Sequence, residues 1–152
     1  MKKIVLVSGP ASNANRIVLA GGCFDILHYG HISFLKQAKT YGDYLIVALE
    51  SDENVQRMKG NTRPIHTQAQ RKEMLETLSC VDEVVALPPM HGDRDYFAFV
   101  QKIKPSIIAI TEGDPAKNKK LAQAKDVGAT LVEIPKIHTP STSQLAKLLG
   151  LE

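Results

Sequence analysis

Short apolar runs alternate along the chain with longer segments in which apolar residues recur every three to four positions. The run at residues 43–50, DYLIVALE, is apolar on both faces, as is typical of a buried parallel strand. Residues 29–40 place Ile32, Leu35 and Ala38 at near-helical spacing. This alternation predicts a series of strand–helix units.

Five strand–helix units can be traced from residue 16 onwards. The predicted strands span residues 16–20, 43–50, 83–87, 106–110 and 130–134. The predicted helices span about residues 29–40, 68–78, 95–103, 117–127 and 142–149, with a short helix starting at residues 51–53. Parallel strands joined by helical crossovers wind right-handed. The sequence therefore predicts one α/β domain, a Rossmann-like doubly wound sheet of about five parallel strands with helices on both faces.

Residues 1–15 precede this pattern, and we expect them to form an N-terminal extension or an extra edge strand beside a domain at residues 16–152. Their apolar run, residues 4–7, is broken by Ser8, Gly9 and Pro10, so it is too short for a secretory signal. No apolar run approaches the roughly 20 residues of a membrane helix. We therefore expect no membrane partner.

The composition narrows the class of protein further. Hydrophobic residues make up 43% of the chain and charged residues 23%, the balance of an ordinary globular domain. The net charge of +3 is small, and basic residues alternate with acidic ones, so we expect no nucleic-acid partner. Two cysteines, Cys23 and Cys80, cannot form a disulfide framework. They indicate a reducing compartment, and we expect a cytoplasmic protein.

Doubly wound sheets bind ligands at the carboxyl ends of their strands, where the strand order reverses. The predicted site therefore lies in the loops at residues 21–31, 51–64, 111–115 and 136–143. The chain has no GxGxxG turn and no Gly-Lys-Ser/Thr sequence. A bound phosphate would have to be held by side chains and helix ends.

Two histidines lie three positions apart at the start of the first predicted helix. At this spacing His28 and His31 point to the same side, so they can converge on one anion together with the free N–H groups of the helix start. Gly30 between them removes a side chain and allows a phosphate to approach. Two alternatives are structural histidines and half of a zinc site, but no cluster of further ligands accompanies the pair.

The segment that contains these histidines, GCFDILHYGH at residues 22–31, resembles the GxFDxxHxGH signature of the cytidylyltransferase-like nucleotidyltransferases. The resemblance continues through Lys59-Gly60, Arg63-Pro64-Ile65, Arg71 and Ser141-Thr142-Ser143. It implies that residues 16–152 form a nucleotidyltransferase domain. The implied reaction is direct attack of a substrate phosphate on the α-phosphorus of a nucleoside triphosphate, with release of pyrophosphate and no protein nucleophile.

The resemblance also assigns roles to individual residues. The implied catalytic residues are His28, His31, Lys59 and Arg71. The implied nucleotide-binding residues are Gly22, Cys23, Phe24, Asp25, Gly30, Asp52, Arg63, Gly113, Asp114, Ser141 and Thr142. The implied cofactor is Mg²⁺, bound mainly through the phosphates rather than by protein ligands alone, with Asp25 or Asp52 as candidate ligands.

Several of these assignments have simpler alternatives. Asp25 could cap a turn, Asp52 could cap a helix, and Cys23 could be a small buried side chain. Ser141 and Thr142 could cap the last helix. The cations at residues 59, 63 and 71 could belong to a solvated charged segment.

The pattern around residues 59–65 is most similar to the ADP-heptose synthase and FMN adenylyltransferase branches. We therefore expect transfer of AMP from ATP to a small phosphate monoester, with D-glycero-D-manno-heptose 1-phosphate as the expected acceptor. Glycerol-3-phosphate cytidylyltransferase and FMN adenylyltransferase are the alternatives. An idle nucleotide-binding regulatory module is a further alternative, which the intact His28, His31, Lys59 and Arg71 disfavour. The family also implies a homodimer.

Overall fold

The computed structural model describes residues 15–151. Its strands are β1 Ile17–Gly22, β2 Tyr44–Leu49, β3 Glu83–Ala86, β4 Ile107–Thr111 and β5 Thr130–Ile134. Its helices are α1 Tyr29–Lys39, α2 Asp52–Lys59, α3 Gln68–Glu76, α4 Asp93–Ile103, α5 Lys117–Val127 and α6 Thr142–Leu148. Every strand and helix predicted from residue 16 onwards is present, and most boundaries shift by a few residues.

The five strands form one parallel sheet in the order β3-β2-β1-β4-β5. Leu19 in the middle of β1 pairs with Ile46 on one side and with Ile108 on the other. The strand order reverses between β1 and β4, so their carboxyl ends diverge into loops on opposite faces. This is the edge of the sheet at which the sequence predicts the site.

The hydrophobic core has two layers, one on each face of the sheet. Alternate residues of β1 point to opposite faces, so Val18 and Ala20 pack in one layer with Leu35 of α1 and Leu75 of α3. Leu19 packs in the other layer, together with residues of α4 and α5. The sheet is therefore covered on both faces, and the predicted fold class is confirmed.

One prediction lies outside the described residues, and Lys59 lies on a different element than predicted. The extension or edge strand expected at residues 1–15 lies, apart from Asn15, outside the described residues. Lys59, expected in a loop, is the last residue of α2, which ends because Gly60 adopts a φ of +106°.

Of the helices in the described part of the chain, none has the length and apolar character to cross a membrane.

Candidate active site

The turn between β1 and α1 has an unusual backbone. Phe24 and Ile26 adopt φ angles of +46° and +54°, in the left-handed region that residues other than glycine rarely occupy. Each such conformation costs about 1–3 kcal/mol and persists only where the surroundings enforce it. Here Asp25, buried between the two, makes hydrogen bonds that hold the turn in place.

His28 and His31 are fixed to the start of α1 by their own ring nitrogens. The Nδ1 atom of His28 accepts the N–H of Gly30 at 3.0 Å, and Nδ1 of His31 accepts the N–H of His28 at 3.3 Å. The rings stack with centroids 3.8 Å apart. Because each Nδ1 accepts a hydrogen bond, a neutral ring carries its proton on Nε2. Each histidine thus keeps one Nε2–H donor for a ligand.

Both histidines are neutral at pH 7 in this environment. Burial, with a smaller contribution from the positive charges of protonated His28 and of Lys59, lowers the pKa of His31 to about 4. Burial also lowers the pKa of His28. The two rings are therefore uncharged donors until an anion arrives, whose charge would favour their protonated forms.

The histidines line a first cavity of about 300 Å³. Its walls are the β1–α1 turn, the end of β4 and residues 135–141. The cavity depends on Gly30, because a Cβ atom there would lie 2.8 Å from Cε1 of His28 and 3.0 Å from Cγ2 of Thr139. Any larger residue would displace the His28 ring.

A second cavity, of about 410 Å³, lies on the α4–α5 face of the sheet. The residues common to both cavities are Gly21, Gly22, Cys23, Ala109, Asp114 and Lys120. The two spaces therefore meet at the ends of β1 and β4. Two ligands, one in each cavity, could bring their reacting ends together at this junction.

The structure places many of the predicted residues at the first cavity. Those that line it are Gly22, Cys23, Phe24, His28, Gly30, His31, Asp114 and Ser141. Gly113, with a φ of +78°, lies next to Asp114. The hydroxyl of Ser141 caps α6 by accepting the N–H of Gln144 at 3.2 Å, and Thr142 donates to the carbonyl of Ile26 at 3.3 Å.

Arg63 lies elsewhere than expected. The sequence predicts it as a nucleotide-binding cation, and in the structure it is 3% exposed and its Nε donates to Asp25 at 2.7 Å. Burial raises the pKa of the Asp25 carboxyl, yet the hydrogen bonds from Ile65, Arg63 and His66 outweigh burial and leave that pKa lowered. The pair therefore anchors the loop after α2 to the β1–α1 turn.

Arg71, predicted to meet the triphosphate, is buried and bonded to loop carbonyls. It is 1% exposed, and its guanidinium donates to the carbonyls of Cys23 at 2.6 Å, Glu50 at 3.0 Å and His66 at 3.1 Å. It also pairs with Asp52 at 2.8 Å. Loop carbonyls brought together at the ends of strands need donors, and Arg71 supplies them. In this arrangement Arg71 supports the walls of the site.

Lys59 remains available to meet a phosphate. Its side chain is exposed at the end of α2, and it forms no hydrogen bond or ion pair with any residue between 15 and 151. Its charge acts on both Cys23 and His31, because it lowers the pKa of each. The side chain therefore lies within electrostatic range of both cavities.

The carboxylates proposed as magnesium ligands do not form a protein metal site. Both oxygens of Asp25 accept hydrogen bonds, and Asp52 is paired with Arg71. Within residues 15–151 no group of three His, Cys, Asp or Glu residues is arranged to hold a metal ion. These residues fit a magnesium ion only as one carried on the phosphates of a ligand.

Several residues of the cavities were not predicted from the sequence, and three of them carry polar groups that bear on function. Lys120 on α5 lines both cavities, and Glu50 and Tyr96 line the second. A signal existed for Glu50, a single charged residue at the end of an apolar strand. Tyr96 carries no comparable signal, since only the packing of α4 brings it to this cavity.

Comparison with known proteins identifies the family. The sequence model of the family described as Cytidylyltransferase-like matches residues 19–134. The chain belongs to the cytidylyltransferase-like family. The nucleotidyltransferase class inferred from the HYGH segment is thereby confirmed at the level of the family.

Two curated relatives of this cytidylyltransferase-like chain are informative. An FAD synthase from Thermococcus sibiricus is 38% identical over 135 residues, which cover 87% of the chain and 88% of the relative. A bifunctional protein HldE from Helicobacter pylori is 37% identical over 134 residues, covering 82% of the chain. The chain spans only 28% of the length of that HldE protein.

Solved structures show the same fold. A lipopolysaccharide core biosynthesis protein from Thermoplasma volcanium superimposes with a TM-score of 0.66 at 27% identity, covering 82% of this chain and 98% of that one. A pantoate-beta-alanine ligase from Francisella tularensis superimposes with a TM-score of 0.59 at 18% identity, covering 83% of this chain and 61% of that one. The latter likeness concerns the fold alone.

Proposed function

We propose that the chain transfers AMP from ATP to a small phosphate monoester and releases pyrophosphate. The observation that carries this proposal is the pair of Nε2–H donors of His28 and His31 at the first cavity, beside a second cavity that meets it. The first cavity would hold the nucleotide and the second the acceptor. Adenylyl transfer is favoured because an FAD synthase matches nearly the whole chain.

The reaction proposed is an in-line displacement. An oxygen of the acceptor phosphate attacks the α-phosphorus of ATP, the bond from that phosphorus to the bridging oxygen breaks, and pyrophosphate leaves with the electron pair. The protein aligns two anions and stabilises negative charge on the α-phosphate oxygens. His28 and His31 donate to these oxygens, and Lys59 offsets the repulsion between the two anions. Mg²⁺ would enter on the phosphates of ATP and neutralise part of their charge.

The sequence resemblance gives heptose 1-phosphate as the first acceptor to test, and the FAD synthase relative gives FMN. The experiment measures pyrophosphate release from ATP and CTP with heptose 1-phosphate, glycerol 3-phosphate, FMN and phosphopantetheine. We expect release with ATP and at least one acceptor. Release with CTP alone would replace adenylyl by cytidylyl transfer, and no release from any pair would refute the proposal.

Two variants test the role of the histidines. We expect His31→Ala to lower kcat by about 100-fold or more, because a lost donor to a developing oxyanion costs about that much. His91→Ala is the matched control, since His91 is exposed and lies on neither cavity. Full activity of His31→Ala would contradict the mechanism.

A further inference from the structure

The second cavity has walls that are more apolar than is usual for a site that binds hydroxyl-rich ligands. Its lining is mostly apolar and includes Leu19, Met58, Leu87, Phe99 and Ile108. Its volume of about 410 Å³ lies within the range of cavities that enclose small ligands. A body that fills this space gains by removing apolar surface from water.

Most charged groups around the second cavity already have partners. Asp93 pairs with Lys119 at 2.9 Å, and Asp114 pairs with Lys120 at 2.7 Å. These pairs leave few groups free to hydrogen-bond a ligand. A sugar with many hydroxyl groups would lose hydrogen bonds to water that this cavity does not replace.

Glu50 is the exception among the carboxylates of this cavity. It is half-buried, and it forms no ion pair with any residue in the described part of the chain. Tyr96 donates its hydroxyl to the carboxylate, at 2.9 Å from Oε1 and 3.1 Å from Oε2. Burial raises the pKa of the Glu50 carboxyl, and the hydrogen bond from Tyr96 and the nearby charges of Lys120 and Arg71 offset only part of that effect.

Tyr96 is itself held in place by a buried amide. Nδ2 of Asn54 lies 3.1 Å from the Tyr96 hydroxyl and 3.2 Å from the carbonyl of Met90. The Oδ1 atom of Asn54 accepts the N–H of Met90 at 3.1 Å. This chain of hydrogen bonds fixes Glu50 at the cavity wall. The carboxylate oxygens keep lone pairs that Tyr96 does not use.

We infer that Glu50 selects the acceptor, by accepting a hydrogen bond from an N–H or O–H group on an otherwise largely apolar body that fills the second cavity. This inference rests on the proposed function and narrows the acceptor to a class of phosphate monoesters. Riboflavin 5′-phosphate, with a flat ring and an N–H, and phosphopantetheine, with an apolar arm and amide N–H groups, both belong to this class. Heptose 1-phosphate and glycerol 3-phosphate do not.

The first test uses the unmodified protein. With ATP, we expect kcat/KM for riboflavin 5′-phosphate or phosphopantetheine to exceed that for heptose 1-phosphate and glycerol 3-phosphate by at least about tenfold. A comparison of kcat/KM between the first two acceptors then shows whether the cavity prefers a flat ring or an extended arm. A higher kcat/KM for either hydroxyl-rich acceptor would overturn the inference while leaving adenylyl transfer intact.

The second test changes the carboxylate. Glu50→Gln preserves the shape of the side chain, and we expect it to raise KM for the preferred acceptor about tenfold while KM for ATP changes less than about twofold. Tyr96→Phe should shift KM in the same direction by a smaller factor, because it frees Glu50 without removing it. Glu53→Gln, an exposed carboxylate of α2 outside both cavities, is the control. An unchanged acceptor KM in Glu50→Gln would overturn the inference.

A binding measurement separates the inference from the proposed function. If no acceptor supports pyrophosphate release, adenylyl transfer fails, and calorimetric titration with riboflavin 5′-phosphate and phosphopantetheine then decides the inference. Binding that Glu50→Gln weakens and Glu53→Gln does not would support it. No heat of binding with either phosphate would overturn it.

Discussion

His31 has a half-buried ring that combines a fixed tautomer with a low pKa, of about 4. A triphosphate bound at its Nε2 brings negative charge next to the ring, which favours the protonated form. We therefore predict that the ring titrates near pH 4 in the free protein and at a clearly higher pH with a nonhydrolysable ATP analogue. A pH titration of the ring ¹⁵N shifts by NMR measures both values. Titration near 6.5 in the free protein would contradict the burial of the ring.

The same pKa has a consequence for stability. Between about pH 6.5, the ordinary histidine value, and about pH 4, the unfolded chain binds a proton at His31 that the folded protein does not. The free energy of unfolding should therefore fall as the pH is lowered through this window. Urea unfolding at pH 6.5 and pH 4.5 tests this. The fall should be smaller in His31→Asn, which has no titrating ring.

Arg71 is a residue whose hydrogen-bond partners could not be predicted from the sequence pattern. The sequence predicts Arg71 as a cation for the triphosphate, but the carbonyls that its guanidinium contacts belong to residues 5, 21 and 48 positions away. Such contacts are set by the fold. The sequence pattern therefore predicts that Arg71 contacts a phosphate, whereas in the structure Arg71 supports the loops.

The buried position of Arg71 leads to a prediction about stability. Arg71→Lys keeps the charge but can replace only part of the hydrogen bonds to the three carbonyls, which would leave buried acceptors unpaired. We expect the free energy of unfolding to fall by about 2 kcal/mol or more. Urea denaturation measures this, with Lys72→Arg on the same helix as a control that should change little. A variant with unchanged stability but lost activity would instead favour direct contact with phosphate.

At the scale of elements, the start of α1 depends on a glycine inside the helix. A Cβ atom at Gly30 would meet both the His28 ring and Thr139, whereas a Cβ at Gly92 before α4 would meet nothing within 4 Å. We expect Gly30→Ala to lower kcat by about tenfold or more, because a misplaced catalytic group loses rate steeply. Gly92→Ala, measured in the same assay, should leave kcat unchanged. Equal activity of both variants would contradict the packing at α1.

The elements themselves were largely predictable because each carries a local signal. Residues 130–134 and 117–127 were predicted with the bounds that β5 and α5 have in the structure. The errors lie at ends, where local signals compete with the fold. β1 continues to Gly22 because its backbone pairs with β2 as far as Leu49. Gly21 and Gly22 have no side chains, so no alternation of apolar and polar residues could predict this extension of the strand.

At the scale of the whole molecule, the site consists of two cavities that meet at the ends of β1 and β4. The sequence predicted this edge of the sheet, because parallel strands leave their carboxyl ends together. It could not predict the second cavity. Glu50, directly after β2, and Tyr96 on α4 hydrogen-bond to each other although they are 46 positions apart in the sequence. Only the docking of α4 on the sheet brings them together.

The cations that contribute to the net charge of +3 differ in whether they have acidic partners. Arg63 and Arg71 are paired with carboxylates, as is Lys120, so their charges are already balanced. Lys59 has no such partner among residues 15–151, and its charge reaches both Cys23 and His31. An exposed cation whose charge acts at both cavities is suited to offset the repulsion between two phosphates.

This placement makes Lys59 a sharp test of the whole arrangement. We expect Lys59→Ala to lower kcat/KM by about tenfold or more, because a cation near the transferred phosphate is lost. The melting temperature should not change, because the side chain makes no hydrogen bond or ion pair with residues 15–151. Lys125→Ala, an exposed lysine of α5 away from both cavities, should change neither quantity. The loss in Lys59→Ala should also shrink at high salt, which screens exposed charges. Equal activity of the two variants would mean that the histidines alone hold the phosphates.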